Sequence, residues 1–167
     1  STRIHRVEGH VAIADDGRHI PFRTLVWAAG GHARRLACPG ADLPGVHLLR
    51  SRADADRLLA DLAALDHSAP IVVLGGGYVG LEVAATLRGH GRPITIVEAQ
   101  QRLLARVAAP PVSAFYLAQH RAHGVEVLLG ASAAALGGRS RVEHVLLDDG
   151  RRLPAALVVV GIGLVPS

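Results

Sequence analysis

Methionine and lysine are absent from this chain of 167 residues, and cysteine occurs once. Cys38 therefore has no partner for an internal disulfide, a C-x-x-C redox pair or a cysteine-based zinc site within the chain. It lies beside Pro39 and Gly40 in a turn-like stretch, where we expect an unreactive loop thiol. Because no methionine is present to start translation, we expect that the start was removed or that the sequence is a piece of a longer protein.

Aromatic side chains and long apolar runs are also scarce. Aromatic residues make up 3 % of the chain, which is few for stacking on nucleic-acid bases. All 18 basic residues are arginine and are interleaved with Asp and Glu, so we expect a solvated arginine surface and not a nucleic-acid-binding stripe. Every apolar run is interrupted before the ~18 residues that a membrane span needs, and no secretory signal is visible at Ser1. These absences predict a cytoplasmic protein without a nucleic-acid or membrane partner.

Half of the residues are apolar and 19 % are charged, a balance typical of a globular protein. Four short segments predict strands, namely residues 71–74, 94–97, 125–128 and 157–160. Residues 71–74 form an all-apolar run, as expected of a parallel strand covered on both faces, and residues 94–97 and 157–160 are predicted to be buried as well. Helical patterns at residues 78–87 and 110–122 separate the first three. This alternation predicts an α/β fold with a parallel central sheet.

The remaining segments carry more local signals. Residues 1–20 predict short strands around an Asp15-Asp16-Gly17 turn, and residues 25–31 read as a buried strand. Residues 35–47, with two Pro-Gly pairs, read as a connecting loop. Residues 141–153 predict a β-hairpin because Asp148-Asp149-Gly150 supplies its turn.

Ser51 is a candidate N-cap for a further helix. The helical pattern runs from Arg52 to about Leu65. Its apolar residues Leu58, Leu59 and Leu62 are expected on one buried face.

The segment Gly75-Gly76-Gly77-Tyr78-Val79-Gly80 fits the pattern G-x-G-x-x-G. It follows an apolar strand and opens a helical pattern, which is the context a dinucleotide-binding turn requires. Gly75 permits the tight turn, Gly77 lets the backbone approach a pyrophosphate, and Gly80 lets helix and strand pack closely. The start of the helix then offers unpaired N–H groups to the phosphates. We therefore predict a Rossmann-type NAD-binding unit.

Glu98 ends the second apolar strand, 23 residues after Gly75. A carboxylate at this offset accepts hydrogen bonds from the adenosine ribose hydroxyls and repels a 2′-phosphate, so NAD is expected over NADP. Arg102 and Arg106 follow in the loop, and arginine is what NADP sites use. Arg102 is expected to be surface charge, and Arg106 is either surface charge or a ligand of the pyrophosphate or ribose.

Ten histidines raise the question of a metal site. His120 and His123 are three residues apart on one predicted helix, but no third ligand with suitable spacing follows them. We expect ordinary surface histidines and no metal.

Several runs resemble a known family. Residues 71–85 are similar to the NADH domain of FAD-dependent ferredoxin reductases of the putidaredoxin reductase and biphenyl-dioxygenase ferredoxin reductase type, within the pyridine nucleotide-disulfide oxidoreductase superfamily. The resemblance continues through residues 48–56, 109–116 and 160–166, and so covers nearly the whole chain.

The resemblance implies a domain division and further site residues. Residues 1–47 would be a partial FAD-binding segment and residues 48–167 the NAD-binding domain, which makes the chain a middle fragment. The family's Ala-Thr-Gly element corresponds to Ala28-Ala29-Gly30, where Ala29 removes the usual hydroxyl, and Arg34 matches an arginine near the flavin. Glu82 and the element Gly161-Ile162-Gly163 are implied near the nicotinamide.

The resemblance also implies a reaction in which hydride passes from NADH to FAD and electrons pass on to a small iron–sulfur ferredoxin. No side chain is needed as general acid or base, because the flavin performs the chemistry. The alternatives are a flavoprotein reductase of another acceptor such as nitrite, oxygen or a disulfide, a non-catalytic nucleotide-binding module, and a methyltransferase-like glycine turn. We expect this chain alone to bind NADH without turnover, for want of flavin contacts.

Overall fold

The computed structural model describes residues 2–167, so that Ser1, with which the predicted N-terminal segment begins, lies outside the described residues. The contacts divide the chain into two compact units. One comprises the residues up to Gly30 together with Ser167, and the other runs from Gly31 to Pro166. The predicted domain division between residues 47 and 48 stays a prediction.

The first unit is a three-stranded antiparallel meander. Its strands are β1 (Ile4–Glu8), β2 (Val11–Ala14) and β3 (His19–Pro21), in that spatial order. Gly9 and Gly17 lie in the two turns with positive φ, a conformation that costs glycine nothing. The predicted short strands and the turn at residues 15–17 are confirmed.

The predicted buried strand at residues 25–31 is wrong. Residues 25–30 have no strand conformation, and Val26 and Trp27 are 81 % and 65 % exposed. Apolar composition favours a strand only where a neighbouring strand pairs with its N–H and C=O groups, and no strand among the described residues pairs with residues 25–30. The pairing begins later, at Gly31.

Within the described residues, the second unit contains three helices and ten strands. The helices are α1 (Arg52–Ala64), α2 (Tyr78–Gly89) and α3 (Pro110–Ala122). The strands are β4 (Gly31–Ala33), β5 (Val46–Leu48), β6 (Ile71–Leu74), β7 (Ile94–Glu98), β8 (Glu126–Leu129), β9 (Ala133–Gly137), β10 (His144–Leu147), β11 (Arg152–Pro154), β12 (Leu157–Val160) and β13 (Leu164–Pro166).

Five strands form a parallel sheet in the order β5-β12-β6-β7-β8. All residues of β6 and β12 are buried, as expected for central strands covered on both faces. The predicted α/β fold with a parallel central sheet is confirmed. Strand β5 begins at Val46, inside the predicted connecting loop of residues 35–47, so the end of that loop was assigned wrongly.

Helices cover one face of the sheet and a small antiparallel sheet covers the other. The steps from β5 to β6, β6 to β7 and β7 to β8 run in one direction, so right-handed crossovers place α1, α2 and α3 together. The step from β8 back to β12 runs the other way and contains the meander β9-β10-β11. The two apolar clusters agree with this placement on opposite faces. Leu81 and Leu87 of α2 belong to the cluster of Val73. Val145 and Leu147 of β10 belong to the cluster of Val72, the neighbouring residue of the same strand. The predicted hairpin is the β10-β11 pair.

Helix α1 begins as predicted at the Ser51 cap. The Ser51 hydroxyl accepts from the Asp54 amide, and the Asp54 carboxylate accepts from the Ser51 amide, which makes a reciprocal capping box. The Ser51 hydroxyl also donates to the Asp54 carboxylate, and this bond, together with the one from the Ser51 amide, holds the pKa of Asp54 below its usual value. Leu58 and Leu62 are buried, but Leu59 is 61 % exposed and does not share their face.

Two polar side chains are buried where a surface position was expected. Arg92 is 6 % exposed, and its guanidinium donates to the carbonyls of Leu62, Leu65 and Asp66 at the end of α1. His120 is 8 % exposed on the inner side of α3, so the expectation of a surface histidine is wrong for this residue. No group of three potential metal ligands occurs among residues 2–167, and none of their helices is long and apolar enough to cross a membrane.

Candidate functional site

A cavity of about 960 Å³ opens at the carboxyl ends of the parallel strands. It lies where β6 is flanked by β12 on one side and β7 on the other. The connection that follows β6 crosses one face of the sheet through α2, whereas the chain reaches β12 from β8 through the meander on the other face, so the strand order reverses between β6 and β12. Open α/β sheets bind their ligands in crevices of this kind.

Eleven of the predicted site residues line this cavity. They are Gly75, Gly76, Gly77, Tyr78, Val79, Glu82, Glu98, Arg106, Gly161, Ile162 and Gly163. Gly80 is buried beneath the turn, as expected for a packing glycine. Ala28, Gly30 and Arg34 are exposed and are not among the residues that line the cavity.

The glycine turn is as tight as its sequence predicts. Gly75 has φ +105°, and a Cβ there would lie 2.5 Å from the Gly161 carbonyl oxygen. A Cβ at Gly80 would overlap the Gly75 carbonyl oxygen, so helix α2 approaches β6 as closely as a backbone can. Gly77 differs, because the atom nearest to a Cβ there would be the Gly161 carbonyl oxygen, at 4.0 Å. The open side of Gly77 faces the cavity, which it lines.

Helix α2 presents an uncapped N-terminus to the cavity. Its N-cap is Gly77, which has no side chain to satisfy the first N–H groups. Gly77, Tyr78 and Val79 all line the cavity. The helix start therefore offers hydrogen-bond donors and a partial positive charge to an anionic ligand.

Glu98 is fixed in place by two backbone amides. Its Oε2 accepts from the Gly76 N–H at 2.6 Å, and its Oε1 accepts from the Gln100 N–H at 2.7 Å. Each carboxylate oxygen has lone pairs for a further donor. The half-buried carboxylate is thus oriented at the cavity wall with acceptor capacity for two hydroxyl groups.

The two arginines after β7 differ in their surroundings. Arg106 is exposed and lines the cavity. Arg102 is half-buried and donates to the carbonyls of Ala105 and Ala108 and to the Ser113 hydroxyl. The expectation that Arg102 is simple surface charge is therefore wrong.

Two further segments line the cavity that the sequence analysis did not predict as parts of the site. Leu49, Arg50, Ser51 and Arg52, at the start of α1, line it together with Glu82. Ala131, Ser132 and Ala133 line it between β8 and β9. Their common signal is position, because each segment directly follows a strand of the parallel sheet at its carboxyl end.

The cysteine lies outside this cavity. Cys38 is half-buried, and burial raises the pKa of its thiol above the usual value. A raised thiol pKa lowers the thiolate fraction, which agrees with the expected unreactive loop thiol.

The sheet order, the glycine turn and the crevice define a Rossmann-type α/β domain. The chain belongs to the pyridine nucleotide-disulphide oxidoreductase family, whose profile matches residues 2–167. This confirms the family resemblance seen in the sequence.

The chain is similar to several electron-transfer reductases. It is 48 % identical over 153 residues to a ferredoxin–NAD(P)(+) reductase of Sphingomonas sp., covering 91 % of this chain and 36 % of that protein. It is 41 % identical to a rubredoxin–NAD(+) reductase of Pseudomonas putida, covering 94 % and 40 %. The crystal structure of the ferredoxin reductase for the CYP199A2 system from Rhodopseudomonas palustris matches with a TM-score of 0.83 and 34 % identity, covering 100 % of this chain and 41 % of that one. The chain thus spans well under half the length of these relatives.

Proposed function

We propose that this chain is the NADH-binding part of a flavoprotein reductase that passes electrons to a small iron–sulfur protein. One observation carries the proposal: the cavity at the strand-order reversal joins the uncapped start of α2 to a fixed carboxylate at Glu98. The first feature suits a pyrophosphate and the second suits the hydroxyls of a ribose. The names of the relatives support the same class of reaction and an iron–sulfur acceptor.

The proposed preference for NADH over NADPH rests on charge. A 2′-phosphate on the adenosine ribose would meet the Glu98 carboxylate, which repels it. Arg106 is the arginine after β7 that lines the cavity, whereas Arg102 is engaged with carbonyl groups. Because Arg106 is exposed, solvent weakens any ion pair between it and a phosphate, so that it offsets little of this repulsion.

The residues of the chain bind and orient the dinucleotide in this proposal. The amides of the glycine turn and of α2 hold the pyrophosphate, Glu98 holds the adenosine ribose, and Arg106 lies beside it. Glu82 and the segment Gly161-Ile162-Gly163 would position the nicotinamide end. FAD, when bound, supplies the hydride-accepting and one-electron chemistry. Ala28, Gly30 and Arg34 stay proposed flavin contacts.

The whole protein's cofactors and location follow from the same proposal. A reductase of this class uses NAD and FAD, and because it draws on the NADH pool we propose that it acts in the cytoplasm. We further propose that the chain of 167 residues by itself binds NADH without turnover. Purified chain that carries stoichiometric yellow flavin and reduces a dye with NADH would contradict this last point.

Calorimetric titration of the chain with NADH, NADPH and S-adenosylmethionine tests the proposed function. We expect NADH to bind, NADPH to bind at least about tenfold more weakly, and S-adenosylmethionine not to bind. In the variant Glu98→Gln we expect weaker NADH binding and a narrower difference between the two dinucleotides, since the repelling charge is removed. Absence of NADH binding, or binding of S-adenosylmethionine in its place, would overturn the proposal.

A further inference from the structure

The segment between β7 and α3 forms one wall of the cavity. Leu104, Ala105, Arg106 and Val107 all line the cavity there. The wall is joined to the glycine turn, because the Leu104 N–H donates to the Gly76 carbonyl oxygen at 2.9 Å. The position of this segment therefore sets the width of the half of the cavity that contains Glu98.

The backbone of this segment is left-handed at Leu104, a conformation that needs surrounding contacts to stabilise it. Leu104 has φ +53°, and among the described residues it is the one position other than glycine with a positive φ. The left-handed region is unfavourable for a residue with a Cβ. Such a conformation persists only where the surrounding contacts determine it, and it occurs preferentially at functional sites.

Two backbone hydrogen bonds, from the Val107 and Ala108 N–H groups to the Leu104 carbonyl oxygen, close this segment, and Arg102 adds side-chain contacts to them. Its Nη1 donates to the Ala108 carbonyl oxygen at 2.7 Å and to the Ser113 hydroxyl oxygen at 2.8 Å. Its Nη2 donates to the Ala105 carbonyl oxygen at 2.7 Å. One planar guanidinium thus ties the middle and the end of the segment to the first turns of α3, where Ser113 is 3 % exposed.

Because these contacts occupy donors of the guanidinium, they argue that Arg102 is not a phosphate ligand. Both hydrogens of Nη1 are used, and Arg102 is not among the residues that line the cavity, whereas Arg106 is. An arginine that binds a 2′-phosphate must present its donors to the ligand. Arg102 presents its Nη1 donors to the chain.

We propose that Arg102 is a positioning residue for the adenosine half of the dinucleotide. It holds the segment of residues 104–108 in its strained conformation and so keeps Arg106 and Val107 at the cavity wall. This inference rests on the proposed function, since it concerns the same site. In this role Arg102 contacts neither half of the dinucleotide directly, does not affect the nicotinamide half, and does not discriminate NADH from NADPH.

The variant Arg102→Met tests the proposal by calorimetry on the chain. We expect NADH and NADPH to lose affinity by the same factor, at least about tenfold, because both carry the adenosine half. The reduced mononucleotide NMNH lacks that half, and we expect its affinity to be unchanged. A phosphate ligand would instead affect NADPH alone.

Two further variants separate positioning from general damage to the fold. Arg92→Met removes a second guanidinium that is hydrogen-bonded to carbonyl groups, at residues that do not line the cavity, and we expect it to lower stability without changing NADH affinity. Ser113→Ala removes one of the three acceptors of Arg102, and we expect about a twofold to threefold loss for both dinucleotides. It decides the question even if Arg102→Met does not fold.

The outcomes are distinguishable. Failure of the unchanged chain to bind NADH contradicts the proposed function itself. If the unchanged chain binds NADH, a loss confined to NADPH, an equal loss of NMNH, or no loss in Arg102→Met and Ser113→Ala overturns the role given to Arg102.

Discussion

The three motif glycines of the turn meet different neighbours, and this decides what each substitution does. Gly75 and Gly80 contact backbone atoms, of Gly161 in the first case and of Gly75 in the second. Gly77 has an ordinary φ of −85°, and a Cβ there would meet nothing closer than the Gly161 carbonyl oxygen at 4.0 Å. Packing therefore requires Gly75 and Gly80, whereas Gly77 would be required only by the proposed ligand.

Replacing Gly77 and Gly80 separately by alanine tests this division. We expect Gly77→Ala to melt within a few degrees of the unchanged chain and to bind NADH at least about tenfold more weakly, because the methyl group occupies the proposed pyrophosphate position. Gly80→Ala should lose several kcal/mol of stability, on the order of an overpacked core. Thermal melting and calorimetry on both variants check the prediction, which fails if Gly77→Ala binds normally.

The candidate site could be predicted only where one short segment carries the signal. The glycine turn and Glu98 were predictable because a motif and an offset define them. The role of Arg102 was not, because its partners Ala105, Ala108 and Ser113 are ordinary residues whose importance depends on their folded positions. The segments at residues 49–52 and 131–133 were missed for the same reason.

At the scale of secondary-structure elements, arginine side chains connect the helices to their surroundings. Arg92 donates hydrogen bonds to carbonyl groups at the end of α1. Arg88 of α2 donates to the His123 carbonyl oxygen at the end of α3 and to the Arg92 carbonyl oxygen. Arg121 donates to the Val127 carbonyl oxygen of β8. A guanidinium suits this role because its fork of five donors reaches several acceptors at once.

The buried Arg92 is expected to be the most important of these for stability. Arg92→Met should lower the free energy of unfolding by about 3 kcal/mol, because three carbonyl groups at the end of α1 lose a charged donor. Arg139→Met, at an exposed position, is the matched control and should change it by less than about 0.5 kcal/mol. Urea unfolding of both variants measures the difference, and equal values would contradict the prediction.

The stability of the fold is expected to depend on pH through His120 of α3. Burial lowers the pKa of His120 below its ordinary value of 6.5, and the neighbouring His123 lowers it further. The unfolded chain therefore takes up this proton first as the pH falls. The stabilising effect of the neutral form is complete above about pH 6.5 and is lost as the pH falls from there toward the folded-state pKa.

Replacing His120 by glutamine should therefore flatten the pH dependence of stability. The free energy of unfolding is expected to fall less for His120→Gln than for the unchanged chain between about pH 7.5 and pH 5.5. Urea unfolding at several pH values measures this, with His90→Gln as the exposed control. A steeper pH dependence in His120→Gln would show that the sign is wrong.

Elements with strong local signals were predicted and those without were not. The three helices follow from a serine cap, a glycine turn and a Pro-Pro start, and the buried strands follow from short apolar runs. The three-residue strands β4, β5 and β13 have no such pattern, since they exist through pairing with distant segments. The alanine-rich β9 was missed because alanine does not favour a strand.

At the scale of the whole molecule, the residues that line the cavity and are proposed to bind the nucleotide all belong to the unit from Gly31 to Pro166. Every residue of its two apolar clusters lies between Leu36 and Ile162. Residues 25–30 are exposed and without regular structure, and they include Trp27, the one tryptophan of the sequence. This unit therefore has the core that independent folding requires.

Limited proteolysis checks this separation. Chymotrypsin should cut first after Trp27, because exposed segments without regular structure are cleaved most readily. A shortened chain of residues 31–167 should bind NADH within about twofold of the full sequence, since it retains all residues that line the cavity. Loss of binding on shortening would show that residues 2–30 support the site.

The close contact between Gly75 and Gly161 also bears on how the central strands find their alignment during folding. The sequences Ile-Val-Val-Leu of β6 and Leu-Val-Val-Val of β12 are so alike from end to end that sliding one past the other by a residue would change little apolar burial. Such a slip would separate the two glycines and break the bond from the Gly161 N–H to the Leu74 carbonyl oxygen. In the direction that brings Leu74 to the position of Gly75, it would also place a Cβ 2.5 Å from the Gly161 carbonyl oxygen. Gly75 and Gly161, which line the cavity, thus also favour the native register of β6 and β12.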